Sequence, residues 1–121
     1  MTPDEWVLTI NKLIAKTRDG RVVWQDRKDK TGRQARVGEH VAVFTYKVKP
    51  GGPGKREPVP GSLALALATA TGQVYERLTE SEAKATPHPA DEVALRSLFD
   101  AVVDEPVSRQ ADDFMKALDD L

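Results

Sequence analysis

The alternation of apolar and polar positions is strongest between Glu39 and Lys49, where β-branched and aromatic residues dominate. The even positions of this segment form one apolar face: Ala42, Phe44, Tyr46 and Val48. The odd positions begin apolar and end polar. This pattern is typical of a central strand that is covered on one side and partly covered on the other. We expect the other elements to flank this strand.

A second segment with a period of two runs from Leu63 to Leu78. Leucines at 63, 65 and 67 alternate with alanines at 64, 66 and 68. The leucines are expected to face the core, whereas the alanines leave room for a group to pack closely on the opposite face. Thr71-Gly72 predicts a turn before a returning strand, Val74–Leu78. With a short strand over Arg21–Asp26, the pattern predicts an antiparallel meander of about four strands.

Helical spacing of apolar residues marks both ends of the chain. Thr2-Pro3-Asp4-Glu5 forms a capping box, and Asp19-Gly20 ends the helix that follows it. A second helix is predicted over Asp91–Val103. A third is predicted after Pro106, with apolar residues at 107, 111, 114, 118 and 121. The fold class is therefore α+β, with an N-terminal helix, an antiparallel sheet of about four strands and two C-terminal helices.

The helical stripes also predict the core. The first helix and Leu95–Val102 should cover the same face of the sheet, because both carry large apolar side chains. The residues expected to be buried are Trp6, Leu13, Phe44, Leu65, Phe99 and Phe114. We expect the third helix to dock on its own domain in preference to a second subunit, since a short isolated helix is marginally stable.

Two connections have distinctive compositions. Arg27–Arg36 is strongly charged, and Thr31-Gly32 is its expected turn. Pro50–Gly61 holds four prolines and four glycines in twelve residues. Such a segment is expected to hold neither a β-ladder nor a helix, so it predicts a long surface loop. A loop of this length in a small domain is often functional or mobile.

The first helix and strand carry a spaced pattern, Leu13-Ile14-x-Lys16-Thr17-x-x-Gly20-x-x-x-Trp24. Followed by strands and a C-terminal helical segment, this pattern resembles that of small uncharacterised bacterial proteins. The resemblance covers about a dozen positions and implies the fold only. It implies no activity for the chain.

Length and composition narrow the class of protein. A chain of 121 residues is expected to form a single domain over residues 1–121. It contains no cysteine, which excludes disulfides, thiolate zinc sites and a cysteine nucleophile, and which fits a reducing compartment. No secretory signal and no apolar run long enough to cross a bilayer is present. We therefore expect a cytoplasmic protein without a membrane partner.

Charge is segregated along the chain although the net charge is only −1. Residues 12–56 hold 13 Lys and Arg against 4 Asp and Glu, whereas residues 57–121 hold 5 against 13. One interpretation is a basic face that attracts an acidic partner. The other is that the two halves neutralise each other within one fold.

No catalytic constellation emerges from the sequence. The two histidines are His40, at the start of the central strand, and His88, between two prolines. No serine lies in a nucleophile elbow, and no spacing is typical of metal ligands. The sequence therefore predicts a chain that is not an enzyme, with no catalytic, cofactor-binding or metal-binding residues and no cofactor.

Two functions of different classes remain. The first is a small interaction or regulatory module that binds another protein, as a monomer or a weak homodimer. The second is nucleic-acid binding through a basic segment, which is also the candidate partner contact: Arg21, Arg27, Lys28, Lys30, Arg33 and Arg36. The second is disfavoured because the pI is about 6.1 and no aromatic residue lies within Arg27–Arg36 to stack on bases.

Overall fold

The computed structural model describes residues 1–51, 56–80, 90–104 and 113–121. Its elements in chain order are α1 (Pro3–Arg18), β1 (Gln25–Asp26), β2 (Gly32–Val37), β3 (His40–Thr45), β4 (Val48–Pro50), β5 (Arg56–Pro58), β6 (Ala64–Thr69), β7 (Val74–Thr79), α2 (Ala90–Phe99) with a π-helical turn (Asp100–Asp104), and α3 (residues 113–119). This is the predicted α+β fold. His88 and residues 107–112 of the predicted third helix lie outside the described residues.

Helix α1 begins and ends where the sequence predicts. The Thr2 hydroxyl accepts a hydrogen bond from the Glu5 backbone N–H, and the Glu5 carboxylate accepts one from the Thr2 N–H. These bonds satisfy two backbone donors that the first turn would otherwise leave unpaired, and they lower the pKa of the Glu5 carboxyl. The helix ends at Asp19, and Gly20 follows with a φ of 78°.

Five strands form one antiparallel sheet in the order β1-β2-β3-β6-β7, so β3 is central as predicted. Strand β2 was not predicted, because Arg27–Arg36 was interpreted as a connection throughout. That interpretation is wrong for its second half: Gly32–Val37 pairs along its whole length with His40–Thr45. Its polar residues hid the strand, since only Ala35 and Gly32 in it are buried.

The Pro/Gly-rich segment forms a small ribbon. Strands β4 and β5 pair with each other and with no other strand of the described residues, opposing Val48 to Pro58 and Pro50 to Arg56. The prediction that Pro50–Gly61 holds no ladder is therefore wrong. Its prolines are tolerated because they lie at strand ends of a two-stranded ribbon, where one side of each strand needs no backbone partner.

Helices α1 and α2 cover the same face of the sheet, as predicted. Their buried residues pack with those of β3 and β6 in one cluster: Trp6, Ile10, Leu13, Ile14, Ala42, Phe44, Leu63, Leu65, Leu78, Ala94, Leu95, Leu98, Phe99, Ala101, Val102 and Val103. An aromatic chain crosses this core, with ring centroids 6.3 Å apart for Trp24 and Phe44, 5.2 Å for Phe44 and Tyr46, and 5.3 Å for Tyr46 and Phe99. Every residue that the sequence predicts to be buried belongs to this cluster, apart from Phe114.

The prediction that Phe114 is buried is wrong, because its side chain is 66% exposed. The side chains of α2 and the π-helical turn already complete the helical layer above the sheet. Helix α3 keeps the narrow apolar seam that its spacing predicts, but no described element covers it. None of the described helices packs on the opposite face of the sheet either.

Candidate functional site

The uncovered face of the sheet is set by strand register. Phe44 and Leu65 are paired across β3 and β6 and point into the core. Because side chains alternate along a strand, their neighbours in each strand point the other way. Three cross-strand pairs therefore line the uncovered face: Val41 with Ala68, Val43 with Ala66, and Thr45 with Ala64.

These pairs form the floor of a groove of about 490 Å³. Arg27 and Gln34 lie on one side of the floor, and Val74 and Arg77 lie on the other. The floor residues are alanines, β-branched valines and a threonine, so no long side chain rises from the floor itself, and Ala64 and Ala68 are only 8% and 1% exposed. We name this surface the open face.

A second cavity of about 510 Å³ continues the open face toward β1 and β2. It shares Gln34 and Val41 with the groove. Val23 lies in its wall and is 65% exposed, a large fraction for an apolar side chain. A register shift between Leu67 and Ala68 interrupts the pairing of β6 with β7 on the other side of the groove. Such bulges bend the strand and increase the local twist.

All charged residues that line the two cavities are arginines: Arg21, Arg27, Arg36 and Arg77. Arg27 pairs with Asp29 at 3.4 Å, and Arg36 donates a hydrogen bond to the Gly38 carbonyl at 3.2 Å. Among the described residues, neither Arg21 nor Arg77 forms an ion pair. The open face is thus an apolar floor with a positively charged rim.

The Asp29 carboxylate partly neutralises Arg27 and is also engaged within its own turn. It accepts hydrogen bonds from the Thr31 hydroxyl at 2.7 Å and from the Thr31 backbone N–H at 3.1 Å. The Thr31 hydroxyl contributes most to lowering the pKa of Asp29. The carboxylate therefore holds the turn before β2 in place.

The six basic residues predicted as a partner contact do not form one patch. Arg21, Arg27 and Arg36 reach the open face. Lys30 lies in a separate cavity beside Tyr46 and Lys47, and Lys28 lies in an exposed turn. The sequence analysis missed Arg77, which comes from the acidic half of the chain. The alternating alanines of β6 were the signal for an unfilled face.

Arg33 is placed on the helical side of the sheet. Its Nε lies 3.0 Å from an Asp26 carboxylate oxygen, and its Nη1 donates a hydrogen bond of 2.6 Å to the Val102 carbonyl. Burial raises the pKa of the Tyr46 phenol, and the positive charge of Arg33 opposes that rise. Arg33 therefore ties the π-helical turn to the sheet and is part of the scaffold.

The remaining polar clusters have structural contacts. Nδ1 of His40 lies 3.0 Å from the Tyr75 hydroxyl oxygen, and the two rings pack edge to face. The buried Glu80 carboxylate accepts a hydrogen bond from the Leu63 N–H at 3.4 Å and one from Arg96 at 3.3 Å. Within the described ranges, no three His, Asp or Glu side chains are grouped as metal ligands would be.

No protein family, curated protein or solved structure matches this chain. In the described part of the chain, no helix has the length and apolar character needed to cross a membrane.

Proposed function

We propose that the chain is a cytoplasmic, non-enzymatic interaction module that binds a segment of another protein on its open face. The observation that carries this proposal is the pairing of an uncovered apolar floor with a rim of arginines. A sheet usually covers its apolar faces with helices or a second sheet. Among the described elements, α1 and α2 cover only one face, and the other is the surface that we propose for a partner.

The chemistry of the open face specifies its ligand. Apolar side chains would be favoured on the floor at about 25 cal/mol per Å² of buried apolar surface. Carboxylates would be favoured beside Arg21 and Arg77, because a guanidinium forms two parallel hydrogen bonds with a carboxylate. The fitting partner is an amphipathic segment in which acidic residues flank large apolar ones.

The β-branched floor supports a preformed site. Val41 and Val43 lie on the central strand, and branching at Cβ restricts their χ1 angles. A rigid floor loses little side-chain entropy when a ligand binds. This favours recognition of a segment by its shape as well as by its charge.

Nucleic-acid binding through the basic segment is less well supported. Trp24, which lies between Arg21 and Arg27, and Tyr46 are partly buried and pack against the aromatic rings of the core, which leaves them poorly placed to stack on bases. Arg33 is engaged by Asp26 and Val102. A face with an apolar floor suits a protein segment better than a phosphate backbone.

Panning a phage-displayed library of random linear peptides against the full chain tests the proposal. We expect the enriched peptides to combine large apolar residues with Asp or Glu. Val43→Asp should weaken their binding more than about tenfold, because it buries a charge in the floor. Arg77→Ala should weaken the binding of the acidic peptides by a smaller factor.

Leu8→Asp is the matched control, since Leu8 is a large apolar residue that is 57% exposed on α1, away from the open face. It should leave peptide binding unchanged. Failure to enrich any peptide, or enriched peptides that bind Val43→Asp as tightly as the parent chain, would refute the proposal.

A further inference from the structure

Helix α3 carries the second large apolar surface that the described elements leave uncovered. Phe114, Met115 and Leu118 are 66%, 59% and 48% exposed, and Leu121, just beyond the helix, is fully exposed. Positions 114, 118 and 121 recur every four and three residues, so their side chains lie along one stripe. Several neighbouring large apolar side chains on one helix are typical of a docking surface.

The charges of α3 are opposite to those of the open face. Asp113, Asp119 and Asp120 lie off the apolar stripe, and Lys116 is the only basic residue between 113 and 121. The open face presents four arginines and no carboxylate around its apolar floor. Helix α3 therefore has the chemistry that the open face requires of a ligand: large apolar side chains flanked by carboxylates.

The small floor residues also match α3 in shape. The alanines of β6 project only methyl groups toward the groove, which Val43 and Val74 also line. An aromatic ring such as that of Phe114 needs such a groove, since no long side chain on the floor must move to admit it. A short helix is marginally stable without tertiary contacts, so docking would also stabilise the described turns of α3, residues 113–119.

The position of the turn before α3 favours a second copy over self-docking. The π-helical turn that precedes α3 lies on the helical side of the sheet, where Arg33 holds the Val102 carbonyl. Docking on the open face of the same molecule would require α3 to pass to the side of the sheet opposite that turn. A neighbouring molecule can present its open face without that passage.

We infer that α3 of one copy binds the open face of a second copy, and that the exchange is reciprocal. Each copy then contributes one helix and one face, which closes a twofold dimer. This inference rests on the proposed function, because it names α3 of the same protein as the segment that the open face binds. It replaces our sequence-based expectation that the last helix docks within its own chain.

Sedimentation equilibrium of the full chain over a range of concentrations is the test. We expect a monomer–dimer equilibrium, weakened more than about tenfold by Phe114→Asp and by Val43→Asp, since each places a charge in the contact. Leu8→Asp should leave the equilibrium unchanged. The variants should keep the circular dichroism of the parent chain, because Phe114 is exposed and Val43 is not in the core cluster.

Mixing the two variants identifies the contact as helix against face. Val43→Asp keeps an intact helix and Phe114→Asp keeps an intact face, so one of the two contacts can form between them. We expect the mixture to form a heterodimer that is weaker than the parent dimer and stronger than either variant alone. A mixture that associates no better than the separate variants would overturn the inference. A Val43→Asp variant that dimerises as tightly as the parent chain would also overturn it.

The outcome also separates this inference from the proposed function. A parent chain that stays monomeric at all concentrations overturns the dimer. Suppose that the parent chain is monomeric but the Phe114→Asp variant still binds the peptides enriched by phage display. The open face then remains a protein-binding site, and its occupant is not α3. If a synthetic peptide of residues 105–121 binds Phe114→Asp but not the monomeric parent chain, α3 occupies its own face, which also overturns the exchange.

Discussion

At the scale of single residues, Gly32 shows how closely β2 approaches β3. A Cβ added at Gly32 would overlap the Phe44 carbonyl oxygen and lie 2.8 Å from the Thr45 Cα. These are backbone atoms of the central strand and cannot move without shifting the ladder. Gly32→Ala should therefore lower the free energy of unfolding by about 3 kcal/mol, measured by urea denaturation.

Gly38→Ala is the control for backbone conformation. Gly38 has a φ of 60°, but nothing lies within 4 Å of a Cβ added there. Gly38→Ala should lower the free energy of unfolding by only about 1–2 kcal/mol, the cost of holding a residue with a Cβ in the left-handed region. Equal losses at the two positions would show that conformation, and not the contact with β3, determines the requirement for Gly32.

Arg33 and Arg36 belong to the same basic segment but have different surroundings. Arg33 bonds Asp26 and the Val102 carbonyl, whereas Arg36 is exposed and bonds only the Gly38 carbonyl among the described residues. Arg33→Ala should destabilise the fold by about 1.5–3 kcal/mol, the usual range for hydrogen bonds to a charged group. Arg36→Ala should change the free energy of unfolding by no more than about 0.5 kcal/mol. Similar midpoints of urea denaturation for both variants would contradict this distinction.

Tyr46 offers a spectroscopic test of the core. Burial raises the pKa of its phenol above the usual 10.0, and the nearby Arg33 lowers it by a smaller amount. The folded state therefore holds this proton to higher pH than the unfolded chain does. Its contribution to stability is fully present below pH 10 and is lost as the pH rises through the raised pKa.

The chain has two tyrosines, so tyrosinate absorbance in the Tyr75→Phe variant reports Tyr46 alone. We expect a midpoint above pH 10 in the folded variant and a midpoint near 10 in urea. Coincident midpoints would mean that the Tyr46 hydroxyl is fully hydrated in the folded protein.

At the scale of elements, the β4–β5 ribbon is separable from the main sheet. Its strands pair only with each other, and the bond from the Val59 N–H to the Lys47 carbonyl, 2.8 Å long, closes its base. Replacing residues 48–58 with a short glycine-rich link should change the free energy of unfolding by about 1 kcal/mol or less, because loop-closure entropy depends weakly on length. A much larger drop in thermal stability would show that the ribbon supports the core.

Local periodicity predicted the elements whose signal lies within their own residues. The capping box of α1, the alternation in β3 and β6 and the apolar stripe of α2 are such signals. Strand β2 lacks one: Arg33, Gln34 and Arg36 are polar, and its pairing depends on β3. The contact of Arg33 with Val102 joins residues 69 positions apart, which no local pattern specifies.

The site was harder to predict for a related physical reason. An apolar stripe shows that a helix has a face to bury, but it does not show what covers that face. The spacing of α3 was recognised, yet the burial of Phe114 did not follow from it. Likewise, the alanines of β6 predicted space on the open face from their own spacing. The pairing of Arg77 with Ala66 depends on the register between β6 and β7, which no local pattern gives.

At the scale of the whole molecule, the segregation of charge limits binding to nucleic acids. The basic residues of 21–36 are divided between the open face, an exposed turn and the scaffold, and the chain as a whole carries −1. We expect double-stranded DNA to bind no tighter than nonspecific complexes, about 10⁻⁶–10⁻⁴ M at physiological salt, and to dissociate as salt is added. A nanomolar, sequence-dependent affinity in fluorescence anisotropy would contradict this.

The order of the strands leaves the sheet with two edges, β1 and β7. Strand β1 has only two residues, so Arg36 lies on an outer stretch of β2 that β1 does not cover, and β7 carries Glu76 and Arg77. An exposed edge strand can pair with the edge strand of another molecule, which leads to aggregation. Short edge strands and charged side chains oppose this pairing. The molecule can thus offer a whole sheet surface to a partner while its edges resist growth into fibrils.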